Sequence, residues 1–82
     1  MTGNLAKISL VDMAVGKGGR VIGYVRGSDG YRKKLLAMGL TVGTEFMVRR
    51  FAPLGDPIEI EVRGYNLSLR KQEAAVLLVE GV

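Results

Sequence analysis

Residues 45–63 read EFMVRRFAPLGDPIEIEVR, and this stretch decides the fold. In residues 45–51 and 57–63 apolar side chains alternate with charged ones, which is typical of strands that bury one face. The residues between them include proline and glycine, which favour a turn over continued regular structure. The stretch therefore predicts a β-hairpin.

The charges of this hairpin suggest its register. We require apolar residues to face apolar residues and opposite charges to face each other across the two strands. The resulting pairs are Phe46 with Val62 and Val48 with Ile60 inside, and Arg49 with Glu59 and Glu45 with Arg63 outside. Each charged pair would contribute about 0.2–1 kcal/mol. A register shifted by two residues would set Met47 against Arg63 and fits less well.

The segments before the hairpin add a strand and a helical turn. Residues 19–26 are predicted as a strand with Val21 and Val25 on one face and a bend at Gly23. Ahead of this strand, Ser9 is expected to cap one helical turn. The side chains of the turn that point inward are Leu10 and Met13.

A short helix is predicted between the first strand and the hairpin, over about residues 29–39. Its start has two candidate caps, Ser28 and Asp29, and Gly39 is a natural residue to end it. The apolar stripe of the helix consists of Tyr31, Leu35 and Met38. With Gly39 in the left-handed conformation, Leu40 would return onto Leu35, as in a Schellman motif.

After the hairpin the chain turns at residues 64–66 and forms a short strand at 67–70. A helical half-turn at 71–73 then leads to a final strand at 75–80. In total the sequence predicts a mostly β fold, a small SH3-like barrel of about five antiparallel strands with one inserted α-helix and short helical turns. We expect a single domain over residues 1–82.

The composition excludes most small-enzyme chemistry. The 82 residues include no histidine, no cysteine and no tryptophan, and 12 lysines and arginines against 8 acidic residues give a net charge of +4. Without cysteine or histidine the chain has no zinc finger ligands, no disulfide and no imidazole-activated nucleophile. We therefore expect a protein that is not an enzyme and holds no cofactor.

The hydropathy pattern indicates neither a spanning helix nor a leader. The longest apolar run covers residues 74–79, whereas a membrane-spanning helix needs about 20 residues. Residues 1–19 contain no sustained apolar stretch and no small-residue cleavage site, which favours a cytoplasmic location.

Two candidate ligand sites have simpler interpretations. Residues 16–20, GKGGR, offer backbone amides and a lysine to a phosphate, but they lack the Walker spacing and precede a strand, so we interpret them as a turn. Among the carboxylates, Glu59 and Glu61 lie two residues apart on one face and could bind a hard divalent ion weakly. Salt bridges explain these two glutamates better, and we predict no metal site.

Four short segments of turn and core residues follow one another along the chain: residues 35–44 (LLAMGLTVGT), 52–58 (APLGDPI), 62–65 (VRGY) and 69–74 (LRKQEA). Together, at these spacings, they resemble the FeoA family, the small cytoplasmic component of bacterial and archaeal ferrous iron transport. The resemblance implies an SH3-like fold, no chemistry performed by the chain, and docking on the cytoplasmic part of the FeoB ferrous iron permease. It also implies a cytoplasmic location at the inner face of the membrane through that partner.

The basic run Arg32, Lys33 and Lys34 lies early in the predicted helix, where the helix dipole favours acidic side chains. We interpret this local conflict either as a solvated face or as a surface for an acidic partner. The hypothesis is a docking surface formed by Arg32, Lys33 and Leu36, although Leu36 is expected to border the core. Leu54, at the tip of the hairpin loop, is a further candidate contact, with packing back onto the barrel as its alternative.

The leading prediction is a non-enzymatic accessory protein that docks on and modulates the FeoB permease. One alternative is a small basic barrel that binds nucleic acid, which the net charge favours and the small number of aromatic residues opposes. Another is a regulatory module that responds to weak transition metal binding. The sequence leaves self-association open.

Overall fold

The computed structural model describes residues 8–82, so expectations that concern residues 1–7, including the absence of a leader, lie outside the described residues. Six strands and two helices follow one another along the chain. They are β1 (Ile8–Ser9), β2 (Gly18–Tyr24), α1 (Asp29–Ala37), β3 (Glu45–Phe51), β4 (Ile58–Val62), β5 (Tyr65–Leu69), α2 (Lys71–Ala74) and β6 (Leu77–Gly81). Neither of these helices has the length and apolarity needed to cross a membrane.

The strands form one antiparallel sheet in the order β1-β6-β2-β3-β4-β5. The five predicted strands are all present, and β1 adds a two-residue pairing with β6 that the sequence did not indicate. The sheet encloses one apolar core. Its fully buried side chains are Leu10, Val21, Leu35, Leu40, Val48, Ile58, Ile60, Val62, Leu69, Leu77 and Val79.

The helical turn before β2 is confirmed. A 3₁₀ turn spans Leu10–Asp12, and the Ser9 hydroxyl accepts a hydrogen bond from the Val11 amide at 3.4 Å. Leu10 and Met13 are both buried, as expected. The turn therefore adds two buried side chains to the core just before the first long strand.

The prediction that Val21 and Val25 lie on one face of the strand is wrong, because Val21 is fully buried and Val25 is exposed. The register between β2 and β6 shifts between Val21 and Gly23, and Val25 follows the end of β2 with 42% of its surface exposed. Because such a bulge inserts one extra residue, it reverses the alternation of inner and outer side chains beyond it. Tyr24 packs against the core in place of Val25.

The hairpin of β3 and β4 has the predicted register at its centre, where Val48 faces Ile60. The register then shifts between Val48 and Arg50, so the predicted pair of Arg49 with Glu59 is wrong. The observed ion pairs are Arg49 with Glu61 at 3.3 Å, Arg50 with Glu59 at 3.9 Å and Arg20 with Glu45 at 3.9 Å. The predicted pair of Glu45 with Arg63 is therefore also wrong, because β2 brings a nearer cation to Glu45.

The hairpin of β4 and β5 turns one residue earlier than predicted. Arg63 and Gly64 have φ values of 50° and 88°, and Val62 pairs with Tyr65. Positive φ at both central residues defines a two-residue type I′ turn, whose twist matches the flanking strands. The strand that follows therefore begins at Tyr65 rather than at Leu67.

The end of α1 is a Schellman motif, as predicted. The Leu40 amide donates to the Leu35 carbonyl and the Gly39 amide to the Leu36 carbonyl, both at 3.0 Å, and Gly39 has a φ of 92°. Leu35 and Leu40 are both fully buried in the core. The motif therefore stops the helix and returns the chain to the barrel.

The rest of α1 differs from the predicted stripe. Tyr31 is 41% exposed and Leu36 is 40% exposed, so neither belongs to the core, while Met38 packs against it. Ser28 occupies the N-cap position, but its hydroxyl donates to the Val25 carbonyl and does not cap the helix. Leu35 is thus the one fully buried side chain of α1.

The glycine-rich segment 16–20 contains a turn at Gly16 and a close packing contact at Gly19, which agrees with the turn interpretation. Gly16 has a φ of 89°, and β2 begins at Gly18. A methyl group on Gly19 would lie 2.6 Å from Cζ of the buried Phe46 ring. The glycine therefore makes room for an aromatic ring of the core.

We predict that Gly39→Ala destabilises the protein by about 1–2 kcal/mol, because alanine is strained in the left-handed conformation. The matched control is Gly30→Ala inside α1, where a methyl group would meet no atom within 4 Å. That change should stabilise the protein by about 0.5–1 kcal/mol. Denaturant unfolding measures both variants, and equal free energies of unfolding would contradict the assigned helix end.

Candidate functional site

The three cations at the centre of α1 have different surroundings. Lys34 forms an ion pair with Glu73 of α2, and Glu73 also accepts a hydrogen bond from the Arg70 amide at 2.9 Å. On the same side of α1, the Tyr31 hydroxyl lies 3.4 Å from the Gln72 amide oxygen. Lys34 therefore attaches α1 to α2 and is not free to bind a partner.

Glu73 is a buried carboxylate with only 4% of its surface exposed. The hydrogen bond from Lys34 lowers the pKa of Glu73, burial raises it in part, and the Arg70 amide lowers it further. The net direction is downward from the ordinary value of 4.5, so the carboxylate stays charged at neutral pH. A buried charge of this kind is tolerable because both of its oxygens have donors.

Arg32 lies against an aromatic ring. Its guanidinium carbon is 5.6 Å from the centre of the Tyr24 ring, within the range of a cation–π contact. The Tyr24 hydroxyl donates to the Leu40 carbonyl at 2.6 Å. Burial raises the pKa of Tyr24 above its ordinary value and the Arg32 charge partly offsets this, so the hydroxyl remains a donor. Arg32 is thus held in place without being neutralised by a carboxylate.

Lys33 and Leu36 lie on the side of α1 that faces away from the core. With Asp29 and Arg32 they line a shallow open depression of about 470 Å³. Within residues 8–82 no carboxylate lies within ion-pair distance of Arg32 or Lys33. We call Arg32, Lys33 and Leu36 the α1 face, and it combines two cations that form no ion pair in residues 8–82 with one exposed apolar side chain.

Leu54 lies at the tip of the β3–β4 loop and is 92% exposed. The loop is held by its own backbone, since the Ala52 amide donates to the Pro57 carbonyl at 3.0 Å and the Gly55 amide to the Ala52 carbonyl at 2.7 Å. The alternative that Leu54 packs back onto the barrel is therefore wrong. Leu54 does not line the depression of the α1 face, so it is described as a separate exposed position.

The carboxylates of the chain are mostly used in ion pairs. All five glutamates of the sequence have a cationic partner. Glu59 and Glu61, considered above as weak metal ligands, pair with Arg50 and Arg49. In the part of the chain that the structure describes, no three histidine, cysteine or acidic side chains gather into a metal-holding group.

The aromatic residues form no platform for stacked bases. Phe46 is 5% exposed, as its assignment to the core predicted, and Phe51 and Tyr24 are half-buried against the core. Tyr31 and Tyr65 are 41% and 46% exposed and lie on different elements. The geometry therefore gives the nucleic-acid alternative no specific support, since that mode of binding uses neighbouring exposed rings.

Tyr24 and Glu73 support the α1 face, and sequence reasoning did not single them out. It placed Lys34 in the basic run but did not find its ion pair with Glu73. The contact of Tyr24 with Arg32 joins residues 8 positions apart, and the ion pair of Lys34 with Glu73 joins residues 39 positions apart. A pattern along the chain does not reveal such contacts. One local signal did exist for Glu73. It lies three residues after the N-cap of α2, where an acidic side chain commonly returns to the cap amide.

A six-stranded antiparallel sheet around one core, with a helix between its second and third strands, defines a small SH3-like domain. The sequence profile of the FeoA domain matches residues 8–81. The chain therefore belongs to the FeoA family.

Known proteins agree with this assignment. The Fe(2+) transport protein A/Fe(2+) transporter FeoB fusion protein of Porphyromonas gingivalis is 42% identical over 60 residues, which are 73% of this chain and 7% of that protein. The FeoA-like protein from Clostridium acetobutylicum has 43% identity and a TM-score of 0.85, over 93% of this chain and 87% of that one. FeoA of Stenotrophomonas maltophilia, complexed with zinc and described as a procaryotic SH3 domain protein, has 21% identity and a TM-score of 0.74 over 89% of each chain. This last likeness supports the SH3-like fold alone.

We predict that Glu73→Gln lowers the free energy of unfolding by about 1–2 kcal/mol at pH 7, because the charged partner of Lys34 is lost. The contribution of a carboxylate with a lowered pKa is complete above its ordinary value of 4.5 and disappears as pH falls through the folded-state pKa. The difference between wild type and variant should therefore shrink on acidification below that value.

Denaturant unfolding at a series of pH values measures this difference. The matched control is Glu59→Gln, because its partner Arg50 is distant at 3.9 Å and both side chains are more than a third exposed. That control should change stability by less than about 0.5 kcal/mol. A Glu73→Gln effect that is equally small, or independent of pH, would contradict the role given to the pair.

Proposed function

We propose that the protein is a non-enzymatic, cytoplasmic accessory component of ferrous iron transport that docks on the cytoplasmic part of a FeoB-type transporter and modulates it. The observation that carries this proposal is the α1 face, a cationic and partly apolar surface that the fold itself leaves uncompensated. Membership of the FeoA family supports the connection with ferrous iron transport.

The fusion protein of Porphyromonas gingivalis supports the choice of partner. In its name an Fe(2+) transport protein A and an Fe(2+) transporter FeoB are parts of one chain. Joining two modules in one chain raises the effective concentration of each for the other, which favours their contact. For separate chains the same contact needs a surface with enough affinity of its own.

The α1 face has the properties of such a surface. Arg32 and Lys33 supply charges that attract an acidic partner and orient it, mainly through the association rate. Leu36, at 40% exposure, supplies an apolar contact between them. The Tyr24 ring restrains Arg32 before binding, so less side-chain freedom is lost in the complex.

We predict that Lys33→Glu weakens binding to the cytoplasmic part of the transporter at least tenfold and lowers iron uptake, because a charge in the centre of the surface is reversed. Leu36→Ala should weaken binding less, through lost apolar contact. Binding is measured by titration calorimetry with the full chain, and iron uptake in cells that carry each variant.

The control for Lys33→Glu is Lys17→Glu, which changes the net charge equally at an exposed loop position before β2. This control should bind like wild type apart from a small general charge effect. Equal losses of affinity for the two variants would mean that binding depends on the net charge of the protein and not on the α1 face. Unchanged binding and iron uptake in Lys33→Glu would refute docking through the α1 face.

Leu54 is proposed as a second contact because it is the most exposed large apolar side chain among residues 8–82. We predict that Leu54→Ser weakens transporter binding several-fold while the free energy of unfolding stays within about 0.5 kcal/mol of wild type. Val42→Ser, at another exposed apolar side chain with 62% exposure, serves as the control. Binding that is unchanged by Leu54→Ser would remove the loop tip from the docking surface.

A further inference from the structure

β5 is an edge strand that is open to pairing. It is the last strand in the sheet order, and β4 is its neighbour on one side. In residues 8–82 no backbone hydrogen bond reaches Tyr65–Leu69 from any element other than β4. The backbone groups on the other side of β5 are therefore available to another strand.

The composition and regularity of β5 make this edge unusual. Its sequence YNLSL contains no charged residue and no proline, and its pairing with β4 runs over five residues without a shift. Proteins commonly protect such edges with charges, prolines, bulges or very short strands, because an open edge pairs with other chains. β5 lacks all four, which indicates that pairing at this edge is tolerated.

The turn before β5 determines which backbone groups point outward. In a two-residue hairpin the residues flanking the turn, here Val62 and Tyr65, form a hydrogen-bonded pair. Along an antiparallel ladder the hydrogen-bonded pairs alternate, so Leu67 and Leu69 also bond to β4. Asn66 and Ser68 then direct their amides and carbonyls to the open side.

Cations flank the edge at both of its ends. Arg63 lies in the turn that precedes β5, and Arg70 and Lys71 follow it, all three exposed and none in an ion pair within residues 8–82. The Asp56 carboxylate accepts the Lys71 amide at 3.0 Å, so the end with Arg70 and Lys71 has one more positive charge than negative. We propose that β5 binds an extended segment of a partner protein with an uncharged centre and acidic residues at its ends, which adds as a further antiparallel or parallel strand. This surface is separate from the α1 face and does not depend on it.

The charges favour a different protein over a second copy of this chain. In a two-fold antiparallel pairing of β5 with itself centred on Leu67, the turn that holds Arg63 in each copy would lie near the start of α2, with Lys71, in the other. Like charges brought close together at both ends would oppose this pairing. An acidic segment replaces both repulsions with attractions.

The test uses the full chain, labelled with ¹⁵N, and a synthetic peptide that has a pair of aspartates at each end of an alternating threonine and valine centre. We expect the peptide to bind and to protect the amides of Asn66 and Ser68 from hydrogen exchange. The same peptide with lysines at its ends should bind about tenfold more weakly or not at all. This comparison needs no variant of the protein.

The matched pair of variants is Ser68→Pro and Ser68→Ala. Proline removes an amide that points away from β4, so it leaves the ladder to β4 intact and should weaken peptide binding about tenfold, whereas alanine should bind like wild type. Equal binding of both peptides, or equal binding to both variants, would overturn the proposal. The amides of Asn66 and Ser68 could instead become protected from hydrogen exchange without peptide, to a degree that grows with protein concentration. That result would show that a second copy of this chain, and not an acidic segment, pairs with β5.

Discussion

The Glu73 carboxylate connects α1 to α2, and no other ion pair in residues 8–82 joins these two helices. One of its oxygens accepts the Arg70 amide at the start of α2, and the other pairs with Lys34 of α1. Because α1 buries only Leu35 fully, this pair and the Schellman return at Gly39 determine how the helix lies on the barrel. The orientation of α1 in turn decides which of its cations meet solvent, so the proposed docking surface depends on a buried carboxylate on another element.

The same reasoning explains where the net charge of +4 resides. Since every glutamate is paired, the excess belongs to cations without a carboxylate partner. In residues 8–82 these are Lys17, Arg26, Arg32, Lys33, Arg63, Arg70 and Lys71. Two groups of them coincide with features able to receive a partner: the exposed side of α1, and the open edge of β5. Both features favour acidic protein surfaces, which bind by charge complementarity and shape rather than by chemistry.

Much of the fold was predictable because it rests on local patterns. The Pro/Gly loop and alternation of residues 45–63 predicted the hairpin, and Gly39 with Leu40 predicted the Schellman end of α1. Two of the errors come from bulges. The bulge in β2 changes the face of Val25 and the bulge in β3 changes the partner of Arg49, and a bulge depends on the neighbouring strand rather than on the strand's own alternation. The exposure of Tyr31 and Leu36 likewise follows from how α1 lies against α2.

The sequence by itself determined the mostly β barrel with its inserted helix, the resemblance to the FeoA family and the exclusion of histidine and cysteine chemistry. These follow from residue types and short-range spacing. Only the tertiary structure decided that Lys34 is paired while Arg32 and Lys33 have no ion-pair partner in residues 8–82. It also decided that Leu36 and Leu54 are exposed, and that no other strand of the described residues pairs with the outer edge of β5. These ion pairs, exposures and strand edges depend on contacts between residues far apart in the chain. Such contacts form only when the elements pack together in the folded protein.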